Sequence, residues 1–222
     1  MSKPVEQKSR FDAIIFDLDG TLVNSGQDLA NSVNYAREQM GLPEISEELV
    51  MSYIGDGAPT LIRRAMGADA DPAKIKQAYD IFLDYYHQHL LDNTYLYPGV
   101  ADTLERLNGC VLSVLTNKNV SASDKILESL GVRRKFSAVY GGDSFEQKKP
   151  DPVGLNRILS EHRVLGARAL IVGDSQVDVL TGQNAGVKSC GVTWGMSSHT
   201  LSQVSPDYLI QTMEELVPIV FG

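Results

Sequence analysis

The apolar positions of this chain change their spacing along its length, and each spacing predicts a different kind of element. Six short apolar runs predict the strands of a parallel sheet: residues 13–16, 111–115, 137–140, 169–172, 188–192 and 207–210. Helical spacing predicts the elements between the later strands: residues 120–130, 152–162 and 176–185, with a final helix that runs to the end of the chain. Strands that alternate with helices in this way predict an α/β fold with right-handed crossovers.

The stretch between the first two of these strands has the spacing of helices only. Its clearest apolar stripe consists of Leu29, Val33, Ala36 and Met40. Ser46 and Asp71 are residue types that begin helices, and the segment 55–57 predicts a turn between them. We therefore predict two domains. A Rossmann-like core domain is formed by residues 1–22 and 99–222, and a helical cap domain, residues 23–98, is inserted after the first strand.

Two carboxylates follow the first strand, in the segment FDLDGT at residues 16–21. Asp17 and Asp19 have one residue between them, so on an extended backbone their side chains leave the same face. Gly20 allows the chain to turn sharply directly after them. Because like charges repel at close range, this pair needs a cation, a shared proton or a phosphate nearby.

Polar residues also follow the second and fourth strands, and the loop after the third strand carries two lysines. Thr116-Asn117 ends the second strand, and Asp174 ends the fourth, with Asp178 one helical turn later. Lys148-Lys149-Pro150 lies in the loop after the third strand. Because ligands bind beyond the carboxyl ends of parallel strands, we expect these side chains to converge with the acidic pair.

Four segments resemble the motifs of the haloacid dehalogenase-like hydrolases, in the order of the family: FDLDGT, LTN, KKPDP and GDSQVD. The resemblance covers essentially the whole chain. Four longer segments are similar to the phosphoglycolate phosphatase branch of that family: GTLVNS, DLANSV, YIGDGAPTLIRRAMG and GGDSFEQKKPDP. The resemblance implies a magnesium-dependent phosphomonoesterase that forms an aspartyl-phosphate. Its expected substrate is a small phosphorylated metabolite, with 2-phosphoglycolate as the first candidate.

The resemblance also implies roles for individual residues. Asp17 is expected to be the nucleophile, Asp19 the general acid and base, and Lys149 the group that stabilises charge in the transition state. The expected ligands of Mg²⁺ are oxygens of Asp17, Asp19, Asp174 and Asp178. The expected substrate-binding residues are Gly20, Thr116 and Asn117 of the core, and Asp56, Arg63 and Arg64 of the cap.

Three positions depart from the pattern of that branch: Asn24 and Asp151 stand where Asp and His are usual, and Asp56 stands where Asn is typical. A phosphosugar mutase stays an alternative, although mutases of this type carry a histidine in the first cap helix and residues 27–40 contain none. Phosphatases for nucleotides, sugar phosphates or pyrophosphate are further alternatives. A dehalogenase is disfavoured, because it has no need of Asp19 or magnesium. The alternative outside enzymes is a phosphoacceptor signalling module. Such a module has no need of a general acid or a large cap, so Asp19 and residues 23–98 argue against it.

Composition limits the possible partners and the compartment. The 222 residues carry a net charge of −8 and show no basic stripe, which argues against nucleic acid as a partner. Cys110 and Cys190 lie in apolar runs, which predicts small core residues and not a disulfide. Residues 1–10 lack the apolar segment of a signal peptide, and no stretch is long enough to span a bilayer. We expect a cytoplasmic protein, monomeric or homodimeric, without membrane contact.

Overall fold

A parallel sheet organises the part of the chain that the computed structural model describes, residues 9–67 and 69–222. The strands, in chain order, are β1 (Ala13–Phe16), β2 (Val23–Asn24), β3 (Tyr95–Leu96), β4 (Val111–Leu115), β5 (Ala138–Tyr140), β6 (Ala169–Gly173), β7 (Lys188–Val192) and β8 (Tyr208–Ile210). The α-helices are α1 (Gly26–Gln39), α2 (Glu47–Met51), α3 (Ala58–Met66), α4 (Pro72–Gln88), α5 (Val100–Arg106), α6 (Val120–Ser129), α7 (Val153–His162), α8 (Gln176–Ala185) and α9 (Leu216–Phe221). The predicted α/β fold is confirmed, because the six strands of the sheet pair in parallel, in the order β5-β4-β1-β6-β7-β8.

β1 lies inside this sheet because its side chains are apolar on both faces. Ile14 and Phe16 join one apolar core, and Ala13 and Ile15 join a second core on the opposite face. β1 pairs with β4 on one side and with β6 on the other. The strand order therefore reverses at β1, and the carboxyl ends of three neighbouring strands meet at the position where such sheets bind ligands.

The helices between β2 and β3 pack through the predicted stripe. Leu29, Val33 and Ala36 of α1 are buried, and α1 packs against α4, whose Phe82 is also buried. Burial of a side chain of this size contributes about 1.5–3 kcal/mol to stability. Met40 lies one residue beyond the end of α1 and is only partly buried.

The predicted helix starts are confirmed at two positions. Ser46 Oγ accepts a hydrogen bond from Leu49 N, and Asp71 Oδ1 accepts one from Ala73 N at 2.9 Å. Each side chain satisfies a backbone N–H that the helix itself leaves unpaired. Loss of such a cap costs about 1 kcal/mol, so these two residues help to define where α2 and α4 begin.

The prediction of helices only for residues 23–98 is wrong at both ends of that stretch. β2 and β3 form an antiparallel pair in which Val23 lies opposite Leu96 and Asn24 lies opposite Tyr95. Strands of two residues are too short to show an alternating pattern, so the spacing of apolar residues does not reveal them. The two chain segments that join the parallel sheet to the helices α1–α4 therefore run side by side. The division into a core and a cap domain stays our proposal.

Candidate active site

The carboxyl ends of β1 and β6 bring three carboxylates together. Asp17 follows β1, Asp174 follows β6, and Asp178 lies in the first turn of α8. All three residues are buried, and oxygen atoms from them lie within 4.8 Å of one another. The expected convergence therefore occurs for these three acids.

Burial opposes the ionised form of two of these acids. It raises the pKa of Asp17 to about 6, with Asp178 adding to the rise and Lys149 acting against it. Burial also raises the pKa of Asp174 well above its ordinary value, and the charges of Asp178 and Asp17 act in the same direction. A divalent cation among the three carboxylates would favour their ionised forms and so offset the effects of burial and of like charges.

Lys149 contacts two of the three acids in this cluster. Its Nζ is 2.8 Å from Asp17 Oδ1 and 2.6 Å from Asp178 Oδ1, and only 3% of its side chain is exposed. Burial alone would lower the pKa of the Lys149 ammonium, but the charges of Asp17 and Asp178 raise it above its ordinary value. The lysine is therefore a fixed positive charge beside the predicted nucleophile.

Backbone and hydroxyl donors hold the two acids that follow β6. Asp178 Oδ2 accepts hydrogen bonds from Ser175 N at 3.1 Å and from Ser175 Oγ at 2.7 Å, as part of a capping box at the start of α8. Asp174 Oδ2 accepts a hydrogen bond from Ser197 N at 2.8 Å. Each carboxylate thus has one oxygen that is anchored, and its other oxygen is left for the cluster.

Thr116 and Asn117 follow β4, as the motif predicts, and neither caps the next helix. The N-cap of α6 is Asn119. Thr116 Oγ1 accepts a hydrogen bond from Lys118 N at 3.2 Å. The Asn117 side chain accepts from Lys149 N at 3.0 Å and donates to Lys149 O at 3.2 Å, so it fixes the backbone that carries the lysine.

Asp19 is held by two residues that the sequence patterns did not single out. Ser25 Oγ donates a hydrogen bond to Asp19 Oδ1 at 2.6 Å, and Lys118 Nζ lies 3.1 Å from each oxygen of the carboxylate. Among the described residues, the Asp19 side chain is not part of the acidic cluster. Lys118 directly follows Thr116-Asn117 at the end of a strand, and this position is the signal that would have identified it.

Among the described residues, no hydrogen bond or ion pair joins the polar residues predicted in the cap to this cluster. Arg64 Nη2 is 2.6 Å from Asp56 Oδ2, and Arg64 Nη1 donates a hydrogen bond to Tyr53 O at 3.0 Å. Arg63 and Arg64 are exposed. The structure therefore places Asp56 and Arg64 in a pair with each other.

A cavity of about 130 Å³ lies between the strand ends and the helices α3 and α4. Polar residues line it on the side of the sheet: Asp17, Asp19, Thr116, Asn117, Lys118 and Asp174. Mostly apolar residues line it on the side of the helices: Ile54, Leu61, Tyr79, Phe82, Leu83 and Tyr86. Asp56, Arg63 and Arg64 are absent from the lining formed by the described residues. The cavity suits a small, partly charged molecule.

The family comparison matches the region that contains this site. The model of the haloacid dehalogenase-like hydrolases matches residues 14–192, which include all of the strand-end residues described above. The chain belongs to the haloacid dehalogenase-like hydrolases. This membership confirms the resemblance that the four sequence motifs indicate.

Relatives named phosphoglycolate phosphatase are similar to nearly the whole of this hydrolase. The protein of that name from Vibrio parahaemolyticus is 38% identical over 216 residues, which cover 93% of this chain and 95% of the relative. The one from Haemophilus influenzae is 37% identical over 222 residues, with coverage of 96% and 99%. A crystal structure of a predicted phosphoglycolate phosphatase from Haemophilus somnus matches with a TM-score of 0.90 at 35% identity, covering 95% of this chain and 98% of the other.

These matches confirm two further predictions, a phosphatase of this family and a place in its phosphoglycolate phosphatase-like branch. They leave the roles of the individual site residues as predictions. Within residues 9–67 and 69–222, no helix combines the length and the apolar character that a membrane crossing requires.

Proposed function

We propose that this hydrolase removes the phosphoryl group from a small phosphorylated metabolite, best represented by 2-phosphoglycolate, with Mg²⁺ as its cofactor. The observation that carries the proposal is the convergence of Asp17, Asp174 and Asp178, with Lys149 in contact with Asp17 and Asp178. The arrangement offers a nucleophile, oxygen ligands for a cation and a positive charge at one place. The names of the relatives support the choice of substrate.

The donor set fits Mg²⁺, a hard cation that takes carboxylate oxygens together with waters and substrate phosphate. Asp17 Oδ1 is buried and makes no hydrogen bond of acceptable geometry to the described residues, although Lys149 Nζ is close. We assign Asp17, the backbone carbonyl of Asp19 and Asp174 as the groups that hold the cation, with Asp178 as a ligand or an orienting group. When bound, Mg²⁺ would offset the negative charge of the phosphoryl oxygens.

Asp17 and Asp19 divide the reaction into two steps. An Asp17 oxygen attacks phosphorus, the bond from phosphorus to the bridging oxygen breaks, and an aspartyl-phosphate forms. Asp19 gives its proton to the departing oxygen. In the second step Asp19 takes a proton from water, whose oxygen attacks phosphorus and releases inorganic phosphate and free Asp17.

In this proposal, four residues form the binding site of the phosphoryl group: Lys149, Thr116, Asn117 and Gly20. Lys149 supplies positive charge as the transition state forms. Thr116 Oγ1 accepts a hydrogen bond from the backbone, which leaves its own O–H to donate to phosphate. The Asn117 side chain is engaged with Lys149, so the backbone N–H is the group that Asn117 offers. Gly20 contributes space, because it has no side chain.

We also propose that residues 23–98 act as a cap over the cavity. Asn117 Nδ2 donates a hydrogen bond to Gly55 O at 3.0 Å, and Ser197 Oγ donates one to Ile54 O at 3.1 Å. Two side chains of the proposed core domain thus hold the cap turn next to the strand ends. A covered site excludes water and strengthens the electrostatic interactions within it.

Three further predictions stay part of this proposal. Asp56, Arg63 and Arg64 stay predicted substrate residues, and their substitution would test this through the preference among esters. The cytoplasmic location stays a prediction. The monomeric or homodimeric state also stays a prediction.

Two esters that differ in one group provide the direct test. 2-Phosphoglycolate and 2-hydroxyethyl phosphate have leaving groups of similar size, but only the first carries a carboxylate. With Mg²⁺, we expect release of phosphate from both, with kcat/KM higher for phosphoglycolate by about tenfold or more, which corresponds to about 1.4 kcal/mol. The Asp17→Asn variant is the control and should be slower by about a thousandfold or more, since an amide does not replace the nucleophile. Wild-type rates no higher than those of this variant would contradict the proposal.

A further inference from the structure

The cavity contains two polar groups that have no role in the reaction as proposed above. Lys118 Nζ lies 2.5 Å from Tyr86 Oη and 3.1 Å from both carboxylate oxygens of Asp19. Lys118 follows β4, whereas Tyr86 belongs to α4, so the pair connects the two sides of the cavity. Only 7% of the Lys118 side chain is exposed, and Tyr86 is buried.

The Tyr86 hydroxyl still has a proton to donate. It accepts a hydrogen bond from Lys118, and it donates none to the residues that the structure describes. Burial raises the pKa of Tyr86 to about 12, with the charge of Lys118 acting against the rise, so the hydroxyl is protonated at neutral pH. An ammonium group and an O–H donor therefore lie side by side, which is the combination that binds a carboxylate.

Among the cations near the cavity, Lys118 is the one best placed for this task. The cationic residues in the described lining are Lys118 and Lys148. Lys148 is exposed, so water and salt screen its charge. Lys149 is absent from the described lining of the cavity. Since the wall on the side of the helices is mostly apolar, the charge of Lys118 acts in a less polar environment and discriminates more strongly.

The position of Lys118 beside Asp19 also matches the shape of the proposed substrate. In the proposed reaction, Asp19 contacts the bridging oxygen of the ester. In 2-phosphoglycolate, one methylene group separates that oxygen from the carboxylate carbon. A group that touches Asp19 is therefore within reach of the carboxylate when the ester lies in the cavity.

We infer that Lys118 and the Tyr86 hydroxyl together recognise a carboxylate on the leaving group of the substrate. The inference rests on the proposed function and adds to it the residues that determine specificity. Because one residue comes from the sheet and the other from α4, this carboxylate site is complete only when the helices cover the strand ends.

The test compares three esters in the wild type and in Lys118→Met and Tyr86→Phe. p-Nitrophenyl phosphate, whose leaving group needs no acid, joins 2-phosphoglycolate and 2-hydroxyethyl phosphate. In Lys118→Met, we expect kcat/KM for phosphoglycolate to fall about 10- to 100-fold more than for the hydroxyethyl ester, as expected for a hydrogen bond to a charged group. In Tyr86→Phe, which keeps the ring, we expect a selective loss of about three- to tenfold.

Lys125→Met is the matched control for a merely structural effect. Lys125 belongs to α6, and its Nζ donates a hydrogen bond to His87 O at 3.0 Å, so it also joins the core to the end of α4. It is absent from the described lining of the cavity. We expect Lys125→Met to leave the preference for phosphoglycolate within about twofold, as for an exposed polar contact. Lys118→Arg, which keeps the charge, should recover part of the preference.

Other results would overturn either the carboxylate site or the proposed substrate. Equal losses on phosphoglycolate and the hydroxyethyl ester in Lys118→Met, with p-nitrophenyl phosphate spared, would mean that Lys118 only positions Asp19 and would overturn the inference. A selective fall of kcat/KM for phosphoglycolate in Lys125→Met as large as in Lys118→Met would also overturn the inference. So would a selective fall in Lys148→Met when Lys118→Met keeps the wild-type preference. A wild type without preference for phosphoglycolate would contradict the proposed substrate itself. A wild-type preference that survives both Lys118→Met and Tyr86→Phe would contradict the carboxylate site alone.

Discussion

A Cβ atom on Gly20 would lie 2.3 Å from Asp174 Oδ2, so the loop after β1 and the loop after β6 meet at a residue without a side chain. Gly20 also has φ +83°, in the left-handed region that glycine adopts more readily than other residues. Its N–H donates a hydrogen bond to Val23 O at 2.9 Å, which keeps the loop tightly turned. The short approach between these two loops is therefore part of what brings Asp174 to the acids after β1.

We expect Gly20→Ala to damage the site more than the fold. The left-handed backbone adds about 1–2 kcal/mol of strain for a residue with a Cβ. The new methyl group also displaces the Asp174 carboxylate, and a misplacement of about 1 Å in an active site can lower the rate about a hundredfold. Turnover of phosphoglycolate and the thermal midpoint are the two measurements.

Gly41→Ala is the control for this substitution. Gly41 has φ +70°, but an added Cβ there would meet nothing within 4 Å. Gly41→Ala should therefore show the backbone strain of about 1–2 kcal/mol without a loss of turnover. Equal losses of turnover in the two variants would mean that the contact with Asp174 is unimportant for catalysis.

Asp19→Asn should separate the two halves of the reaction. With p-nitrophenyl phosphate the first half needs no acid, whereas the second half still needs a base for water, so the rate of hydrolysis of the intermediate should fall about 100- to 10,000-fold. The phosphorylated protein should then accumulate to nearly one phosphate per chain, which acid quenching of labelled protein would detect. Asp17→Asn, which lacks the nucleophile, should take up no label. Phosphate release that keeps pace with nitrophenolate release from the first turnover would contradict the role of Asp19 as base.

Magnesium should stabilise the protein more at pH 7 than at pH 5. Because burial raises the pKa of Asp17 from 3.8 to about 6, metal-free protein holds a proton there at pH 5 that the unfolded chain does not. This group therefore favours folding at low pH, and its contribution is lost as the pH rises from about 4 to about 6. A bound cation requires the ionised form, so the increase of the thermal midpoint caused by Mg²⁺ should grow over the same range. An increase that is the same at both pH values, or that persists unchanged in Asp17→Asn, would contradict this assignment.

Calcium should raise the thermal midpoint without supporting turnover. It also binds carboxylate oxygens, but its larger and more flexible shell can take both oxygens of Asp17 and so occupy the nucleophile. EDTA should abolish activity, and added Mg²⁺ should restore it. Rates in Ca²⁺ equal to those in Mg²⁺ would contradict this prediction, because one oxygen of Asp17 would then stay free to attack in either complex.

Asp56→Asn tests whether the cap turn recognises the leaving group. A carboxylate near the substrate would repel phosphoglycolate, so removal of its charge would raise the preference for that ester. The structure pairs Asp56 with Arg64, and 37–39% of each side chain is exposed. We therefore expect a change of less than about twofold in the preference and less than about 1 kcal/mol in stability, as for an exposed ion pair. Arg63→Gln and Arg64→Gln test the two arginines in the same assay. The matched control is Asp80→Asn, which opens another exposed ion pair, with Lys76, and a larger change in preference in Asp56→Asn than in Asp80→Asn would assign recognition to the turn.

The elements that carry chemistry were predictable because their signals are local. The run Ala13-Ile14-Ile15-Phe16 is apolar throughout, as a strand covered on both faces must be, and Asp17 follows it directly. The acids at 174 and 178 likewise follow a buried strand. The order of strands and helices predicts a parallel sheet, and parallel sheets place such ends together. The acidic cluster therefore follows from short segments of sequence.

The partners of those groups depend on contacts between distant segments, which no local pattern records. Tyr86 stands at helical spacing from Tyr79 and Phe82, a pattern that predicts only a buried helix face, yet its hydroxyl meets Lys118 after α4 packs over the end of β4. Asp56 and Arg64 look equally suited to a substrate by residue type, but the path of the chain into α3 lets them pair with each other. Residue type and spacing decide which chemistry is possible, because they act over one turn or one strand. The packing of α1–α4 on the sheet decides which side chains face the cavity, because burial and distance arise only when the whole chain is folded.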